Sequence, residues 1–125
     1  MFELRYKTHF DAAHCLRGYS GKCANLHGHR WELELEVIGE RLDQLGMLVD
    51  FNELKDWLRT ITQELDHKLL NEIEGFKEGE LNPTAENIAW YCYQKLREII
   101  KDRPHIQLRK VSIWEAPGAC ASYFE

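Results

Sequence analysis

Residues 27–39 constrain the fold of this chain more than any other segment. From Trp31 to Val37 every second residue is apolar, and glutamates stand between them. A period of two is typical of a β-strand with one buried and one charged face. Residues 2–10 show the same alternation, and the stretch between the two segments is rich in Gly, Ser and charged residues. The pattern therefore predicts two strands that are joined by a polar loop.

The middle of the chain has the periodicity of helices. Asp50 and Glu53 have the spacing of a capping box, which predicts a helix over residues 51–65. Thr84 follows Pro83 in the position of an N-cap and predicts the start of a second helix. Two apolar stripes support these helices, formed by Leu54, Leu58, Ile61 and Leu65 and by Ile88, Cys92, Leu96 and Ile99.

The last part of the chain predicts a hairpin. Residues 108–115 have strand character, residues 116–119 form a turn, and a final strand runs to Glu125. The order of elements is then ββααββ. We expect an α+β fold in which an antiparallel four-stranded sheet carries both helices on one face. Residues 1–125 are expected to form one domain, and the open edges of such a sheet favour a homo-oligomer.

Charge and hydropathy narrow the class of partner. The chain has 16 basic and 21 acidic residues, a net charge of −5. Nucleic acids are bound by basic surfaces, so this charge favours a small-molecule partner instead. No apolar run approaches the roughly 20 residues that span a bilayer. The first seven residues alternate charged and apolar side chains, unlike a signal peptide. We therefore expect a cytoplasmic protein with no nucleic-acid or membrane partner.

Three histidines are candidate metal ligands. His27 and His29 share the parity of the apolar residues that follow, so an early start of the strand would place both rings on one face, about 7 Å apart. His14 follows the first strand on its apolar parity. Three imidazoles without a thiolate pair suit a catalytic zinc ion with an open coordination position. The alternative is that His27 and His29 are loop residues with hydrogen-bonded rings.

Cys23, Asp66 and His67 are candidate catalytic residues. Cys23 lies four residues before His27, where a thiol with a lowered pKa would serve as a general base. Its alternative is a loop cysteine without a role. Asp66 could orient the imidazole of His67 during proton transfer, whereas a histidine at a helix end also fits a cap that interacts with the helix dipole. Cys92 lies on the second apolar stripe and is expected in the core.

Glu115 is a candidate substrate anchor. It shares the parity of Val111 and Ile113, so its carboxylate is expected toward the apolar layer, where an unpaired charge is costly. The two acceptor oxygens complement the amino and ring N–H donors of a 2-amino-4-oxopyrimidine, as in pterins and guanines. The alternative is an exposed glutamate one residue beyond the strand.

Taken in order, these elements resemble the superfamily of 6-pyruvoyl-tetrahydropterin synthases and 6-carboxy-5,6,7,8-tetrahydropterin synthases. The resemblance covers almost the whole chain and rests on an ordered set of short segments. These segments are Phe10-Asp11-Ala12-Ala13-His14, Cys23 to His29, Gly46-Met47-Leu48-Val49-Asp50-Phe51, Leu65-Asp66-His67-Lys68-Leu69-Leu70-Asn71, Pro83-Thr84-Ala85-Glu86-Asn87, and Trp114-Glu115.

The resemblance implies a tunnelling fold, in which subunits join their sheets into a barrel, commonly as a hexamer of two trimers with sites between neighbours. It also implies a role for each candidate residue. Zinc would be held by His14, His27 and His29. Cys23 would be the base, and His67, assisted by Asp66, would be a second acid or base. Glu115 would anchor the pterin, and Thr84 and Glu86 would line the pterin pocket.

The short spacer between Cys23 and the histidines is similar to the carboxy-tetrahydropterin branch. This implies a zinc-dependent lyase of 7-deazapurine (queuosine) biosynthesis that converts 7,8-dihydroneopterin triphosphate to 6-carboxy-5,6,7,8-tetrahydropterin, releasing acetaldehyde and triphosphate. Arg17, Lys22 and Lys68 are candidates for binding the triphosphate. Two alternatives stay open: formation of 6-pyruvoyl-tetrahydropterin, and a non-catalytic oligomer that binds zinc or pterin.

Overall fold

A five-stranded sheet and two helices form the structure, a computed structural model that describes all residues, Met1–Glu125. The sheet order is β3-β1-β2-β4-β5. The α+β class, both helices, the antiparallel pairing of the first two strands and the C-terminal hairpin are as expected from the sequence. The elements are β1 (Phe2–His14), β2 (His27–Gly39), α1 (Phe51–Leu65), β3 (Lys68–Leu69), α2 (Ala85–Ile99), β4 (Gln107–Ala116) and β5 (Ala119–Tyr123).

The expectation of a four-stranded antiparallel sheet was wrong in one respect. A fifth strand, β3, pairs in parallel with Ala12 and Ala13 of β1. A strand of two residues has no alternation to detect, so its pairing is decided by the tertiary structure alone. The backbone of His67 has a φ of 57°, and its N–H donates to the carbonyl of Asp11. This left-handed residue turns the chain from the end of α1 onto the edge of β1.

Strands β1 and β2 extend further toward the histidines than the alternation indicated. They pair antiparallel from Phe2 opposite Gly39 to His14 opposite His27. The predicted end of the first strand, residue 10, is therefore four residues too early. Position-by-position pairing over this length brings His14, the last residue of β1, to the start of β2.

Both helices begin where the sequence predicts, but only one cap has the predicted form. Thr84 Oγ1 accepts a hydrogen bond from the Asn87 N–H at 3.2 Å. Asp50 caps α1 by accepting from the N–H of Asn52 at 2.8 Å. The expected capping box does not form, because the Glu53 carboxylate instead pairs with Arg103, 50 residues later in the chain.

The core lies between the helices and one face of the sheet. Helix α1 packs on β1, and α2 packs on β4 and β5. Cys92 is fully buried in this core, as predicted, and burial raises the pKa of its thiol. The opposite face of the sheet is charged and carries ion pairs such as Lys110–Glu36 at 2.8 Å. Neither helix has the length and apolar character required to cross a membrane.

Candidate functional site

The pairing of β1 with β2 brings the three histidines together. His14 lies directly opposite His27, and His29 follows two residues along the same face of β2. The centroids of the three rings are 4.5 to 5.4 Å apart. His14 is fully buried. The strand does begin early enough for the two β2 histidines to share one face.

Two backbone carbonyls set the protonation of this cluster. His14 Nδ1 lies 2.8 Å from the carbonyl oxygen of Pro83, and His27 Nδ1 lies 2.7 Å from that of Asn25. A carbonyl only accepts, so each Nδ1 carries the hydrogen, and each neutral ring has its lone pair on Nε2. These two Nε2 atoms face each other at 2.9 Å. Two lone pairs at that distance repel each other unless a proton or a cation lies at the site.

The third imidazole, that of His29, also has a ring nitrogen without a hydrogen-bond partner. His29 Nε2 is buried and makes no hydrogen bond; it lies 3.5 Å from Glu115 Oε1 without hydrogen-bond geometry. Zinc binds imidazole nitrogen at about 2.0–2.1 Å, which places tetrahedral ligand atoms roughly 3.3 Å apart. The ligand atoms of the three histidines and Glu115 all lie within 4.8 Å of one another. The donor set therefore fits a zinc ion.

A buried tryptophan packs against two of the histidines. Trp31 is fully buried, and its ring meets those of His14 and His29 edge to face, with centroids 4.9 and 5.3 Å apart. Its indole N–H donates to the carbonyl of Ala12 at 3.2 Å. The sequence pattern identified Trp31 only as a core residue, and nothing local in the sequence distinguishes it from Leu33. This rigid wall holds both rings in place.

Burial lowers the pKa of His14 and of His29. For His14 the hydrogen bond to Pro83 opposes this effect, and for His29 the nearby Glu115 carboxylate does so. Low pKa values keep both rings neutral near pH 7, which is the form that binds a metal.

The metal-free protein is expected to lose stability as the pH falls below about 6.5, the ordinary pKa of histidine. Between that value and the lowered folded-state pKa, the unfolded chain binds more protons than the folded chain, so the free energy of unfolding decreases as pH decreases. Thermal midpoints measured in chelator across this range test the sign, with the zinc-saturated protein as control. A midpoint that stays flat or rises on acidification would contradict this expectation and show that a proton held between the Nε2 atoms of His14 and His27 outweighs the burial of the rings.

Glu115 contacts the histidine cluster. It occupies an irregularity in the pairing of β4 with β5, between Trp114 and Ala116. Its Oε1 lies 3.3 Å from His14 Nε2 and its side chain is 30% exposed. The carboxylate therefore lies on the side of the sheet that its parity with Ile113 predicts, where it is partly exposed and in contact with the histidines. It also lines a cavity of about 220 Å³ that Thr84 and Glu86 border.

Asp66 and His67 form a second polar cluster. Asp66 Oδ2 lies 2.9 Å from His67 Nδ1, and Asp66 Oδ1 accepts from the backbone N–H of Asp11 at 2.8 Å. That N–H and the His67 ring lower the pKa of Asp66. His67 lies beyond the helix and pairs with this carboxylate, so the cap reading of His67 does not hold. Adjacent residues meet here because His67 leaves the helical conformation.

An open cavity of about 490 Å³ is lined by one residue of each cluster. His29 and His67 both line it, together with Lys68, Asp11 and Arg30. Arg30 lies opposite Asp11 across the β1–β2 ladder and binds its carboxylate with two nitrogens, at 2.9 and 3.2 Å. Sequence reasoning missed this ion pair. The opposite charges were visible, but their pairing depends on the register of the two strands.

Cys23 belongs to neither cluster within one chain. It lies in a short 3-10 helix, Lys22–Ala24, and is half-buried. Its thiol makes no hydrogen bond, and its carbonyl accepts from the Leu16 N–H at 2.9 Å. The structure thus brings together the three histidines with Glu115, and separately Asp66 with His67, and leaves Cys23 on the adjoining loop.

The fold and this geometry define a class of protein: a small α+β domain whose histidine cluster fits a metal ion and lies beside a cavity lined by the imidazole of a carboxylate–imidazole pair. Residues 3–125 match the model of the family described as 6-pyruvoyl tetrahydropterin synthase. The chain belongs to this family of enzymes.

Similar proteins carry more than one name within this family. A 6-carboxy-5,6,7,8-tetrahydropterin synthase from Haemophilus influenzae is 28% identical over 145 aligned positions that cover all of both chains. A dihydroneopterin monophosphate aldolase from Pyrococcus furiosus is 36% identical over 110 residues, 88% of this chain and 86% of the relative. The structure of 6-pyruvoyl tetrahydropterin synthase from Caenorhabditis elegans has a TM-score of 0.85 at 28% identity, covering 99% of this chain and 95% of that one.

Proposed function

We propose that this protein is a zinc-dependent 6-carboxy-5,6,7,8-tetrahydropterin synthase that acts in the cytoplasm in queuosine-type 7-deazapurine biosynthesis. Its substrate would be 7,8-dihydroneopterin triphosphate, and its products 6-carboxy-5,6,7,8-tetrahydropterin, acetaldehyde and triphosphate. The observation that carries the proposal is the cluster of three imidazoles, in which two Nε2 atoms face each other and the third makes no hydrogen bond. His29 of this cluster lines one cavity, and Glu115, which contacts the cluster, lines another. Full-length similarity to the Haemophilus influenzae synthase supports the choice of reaction.

Each cluster has a role in this proposal. Zinc held by His14, His27 and His29 would supply Lewis-acid polarisation of the substrate's side-chain oxygens. Asp66 holds Nδ1–H of His67, which leaves Nε2 of that exposed ring free to accept or return a proton. Cys23 would be the base on the other side of the substrate side chain. Lys68 lines the cavity beside His67 and suits the triphosphate, whereas the Arg17 guanidinium donates to the carbonyls of Leu81 and Lys77.

We assign the pterin ring to the cavity bordered by Glu115, Thr84 and Glu86. Glu115→Gln is expected to weaken pterin binding by roughly 2–4 kcal/mol, because one acceptor of a charge-assisted pair becomes a donor that faces a donor. Folding should not suffer, since no cationic partner is left unpaired. Calorimetry with a pterin and the thermal midpoint measure these two effects separately. Zinc content is the control, because Glu115 also contacts His14. Unchanged affinity would remove the carboxylate from the substrate site.

A homo-oligomer, most simply a hexamer, would complete the site. Strand β3 covers only Ala12 and Ala13 of β1, so the rest of that edge is open to another chain. A neighbour would then bring Cys23 and the Asp66–His67 pair to one substrate. Light scattering of the purified protein measures the assembly, and an active monomer would contradict this part of the proposal.

A second candidate reaction is favoured by the 36% identity to the Pyrococcus furiosus aldolase. The same metal and proton-transfer groups would serve a retro-aldol cleavage of dihydroneopterin monophosphate. The decisive experiment is incubation of the zinc protein with the triphosphate and with the monophosphate, followed by mass spectrometry. A carboxypterin with acetaldehyde supports the first proposal. An aldehyde phosphate released from the monophosphate supports the second. A 6-pyruvoyl-tetrahydropterin product would identify the chain as a 6-pyruvoyl-tetrahydropterin synthase. No turnover of either compound supports a non-catalytic binding protein.

A further inference from the structure

Two asparagine side chains grip the segment that follows β1. Asn71 Oδ1 accepts from the N–H of Cys15, and Asn71 Nδ2 donates to the carbonyl of Cys15, both at 2.9 Å. Asn82 repeats this pattern on Arg17, with distances of 3.0 and 3.1 Å. Each amide satisfies both backbone groups of one residue, as a neighbouring β-strand would. We call these two contacts the asparagine clasps.

The clasped segment lies next to one candidate metal ligand and is hydrogen-bonded to the candidate base. Leu16 lies between the two clasped residues, and its N–H donates to the carbonyl of Cys23 at 2.9 Å. His14 immediately precedes Cys15, and its ring is held by the carbonyl of Pro83, the residue after Asn82. The loop that carries Cys23 is therefore joined to the protein through a segment whose position the two amides determine.

Each clasp also joins this segment to another part of the site. Asn71 lies four residues after His67, in the 3-10 helix Leu70–Glu72. The carbonyl of Asn82 accepts from the N–H of Thr84 and from Asn87 Nδ2, at the start of α2. Both asparagines are partly buried and have no metal or catalytic cluster of their own.

We propose that Asn71 and Asn82 are positioning residues that set the location of the Cys23 thiol relative to the histidine cluster. They act through the backbone of Cys15, Leu16 and Arg17 and touch neither substrate nor metal. The catalytic part of this inference rests on the proposed function, whereas its structural part concerns the reactivity of the Cys23 thiol and stands without any turnover.

The test compares Asn71→Ala and Asn82→Ala with Asn52→Ala, an exposed asparagine whose side chain makes no hydrogen bond. The first readout is the rate at which iodoacetamide alkylates Cys23 in the zinc-loaded protein. Cleavage by trypsin after Lys22 separates the Cys23 peptide from the one that ends at Arg17 and contains Cys15. Exposed Cys120 is the internal reference in every sample.

Each clasp variant is expected to alkylate Cys23 several-fold faster than the wild type, because the half-buried thiol loses its fixed position, with Cys120 unchanged. The kcat should fall at least about tenfold while KM and zinc content stay near the wild-type values, since misplacement of a reacting group by 1 Å can cost about 10²-fold. Asn52→Ala should match the wild type in all respects.

Unchanged Cys23 alkylation in a folded clasp variant would overturn the proposal, whatever happens to activity. A uniform increase at Cys15, Cys23 and Cys120 would also overturn it, since that pattern indicates general loosening. If one variant does not fold, the other decides the question, because the two amides grip different residues. If the wild type turns over no pterin, the proposed function fails, but the alkylation rates still test whether Asn71 and Asn82 position the Cys23 thiol. The two proposals can therefore fail separately.

Discussion

His27→Ala and His29→Ala are expected to abolish stoichiometric zinc binding, whereas the wild type should carry about one zinc ion per chain. Each substitution removes one of only three imidazole ligands. Loss of an outer hydrogen-bond partner of a zinc ligand typically costs about 10–100-fold in affinity, and loss of a direct ligand should cost more. Metal analysis after gel filtration and competition with a chromogenic chelator measure the effect.

The matched control is His105→Ala, which removes an exposed histidine outside the cluster. This variant should retain zinc fully. The facing Nε2 atoms of His14 and His27 add a further expectation for the His27 variant. Without zinc, loss of the His27 ring removes the lone-pair repulsion, so the metal-free variant should be at least as stable as the metal-free wild type. Full zinc occupancy in both cluster variants would remove these histidines from the metal site.

Cys23→Ala is expected to retain zinc and fold but lose turnover, by about 10²–10⁴-fold if the thiol is a general base. The thiol is absent from the histidine–carboxylate cluster, so its removal should leave the metal in place. Single-turnover kinetics on the substrate identified by mass spectrometry measure the loss. The matched control is Cys15→Ala, which removes a neighbouring half-buried thiol that makes no hydrogen bond.

Two outcomes would contradict the role of Cys23. Activity within a few-fold of the wild type would show that another group takes the proton. Loss of zinc together with the thiol would show that Cys23 holds the metal instead. The geometry favours neither outcome, because the candidate metal ligands are three imidazoles and Glu115, and Cys23 lies on the adjoining loop.

The most accurate sequence predictions concerned segments with a strong local period. The extent of α1, the Thr84 cap of α2 and the common face of His27 and His29 all follow from spacing along the chain. These features depend on backbone geometry that repeats every two or every 3.6 residues, so the side-chain pattern alone reports them. The capping box at Asp50 failed for the opposite reason. Its fourth residue, Glu53, found a distant partner in Arg103, and no local pattern contains that information.

The sequence was sufficient to select the candidate site residues, but not to predict which atoms surround them. The strand alternation and the ordered motifs singled out His14, His27, His29 and Glu115 as chemistry-bearing residues. The tertiary structure decided which atoms face one another. The tautomers of His14 and His27 depend on the carbonyls of Pro83 and Asn25, and every residue has a carbonyl, so no residue type marks these two.

The remaining differences have the same physical origin. Strand β3 is too short to have a period, and the left-handed backbone of His67 that creates it also brings the ring to the Asp66 carboxylate. The bulge at Glu115 adds one residue to the ladder of β4 with β5, and no local sequence pattern reports it. The clasps of Asn71 and Asn82 join residues more than 50 positions apart. The helices and the longer strands could be predicted along the chain because they have a local period, and the reactive groups because they are side chains of known type. The contacts between those groups depend on backbone atoms and on strand register, which are set when distant segments pack together.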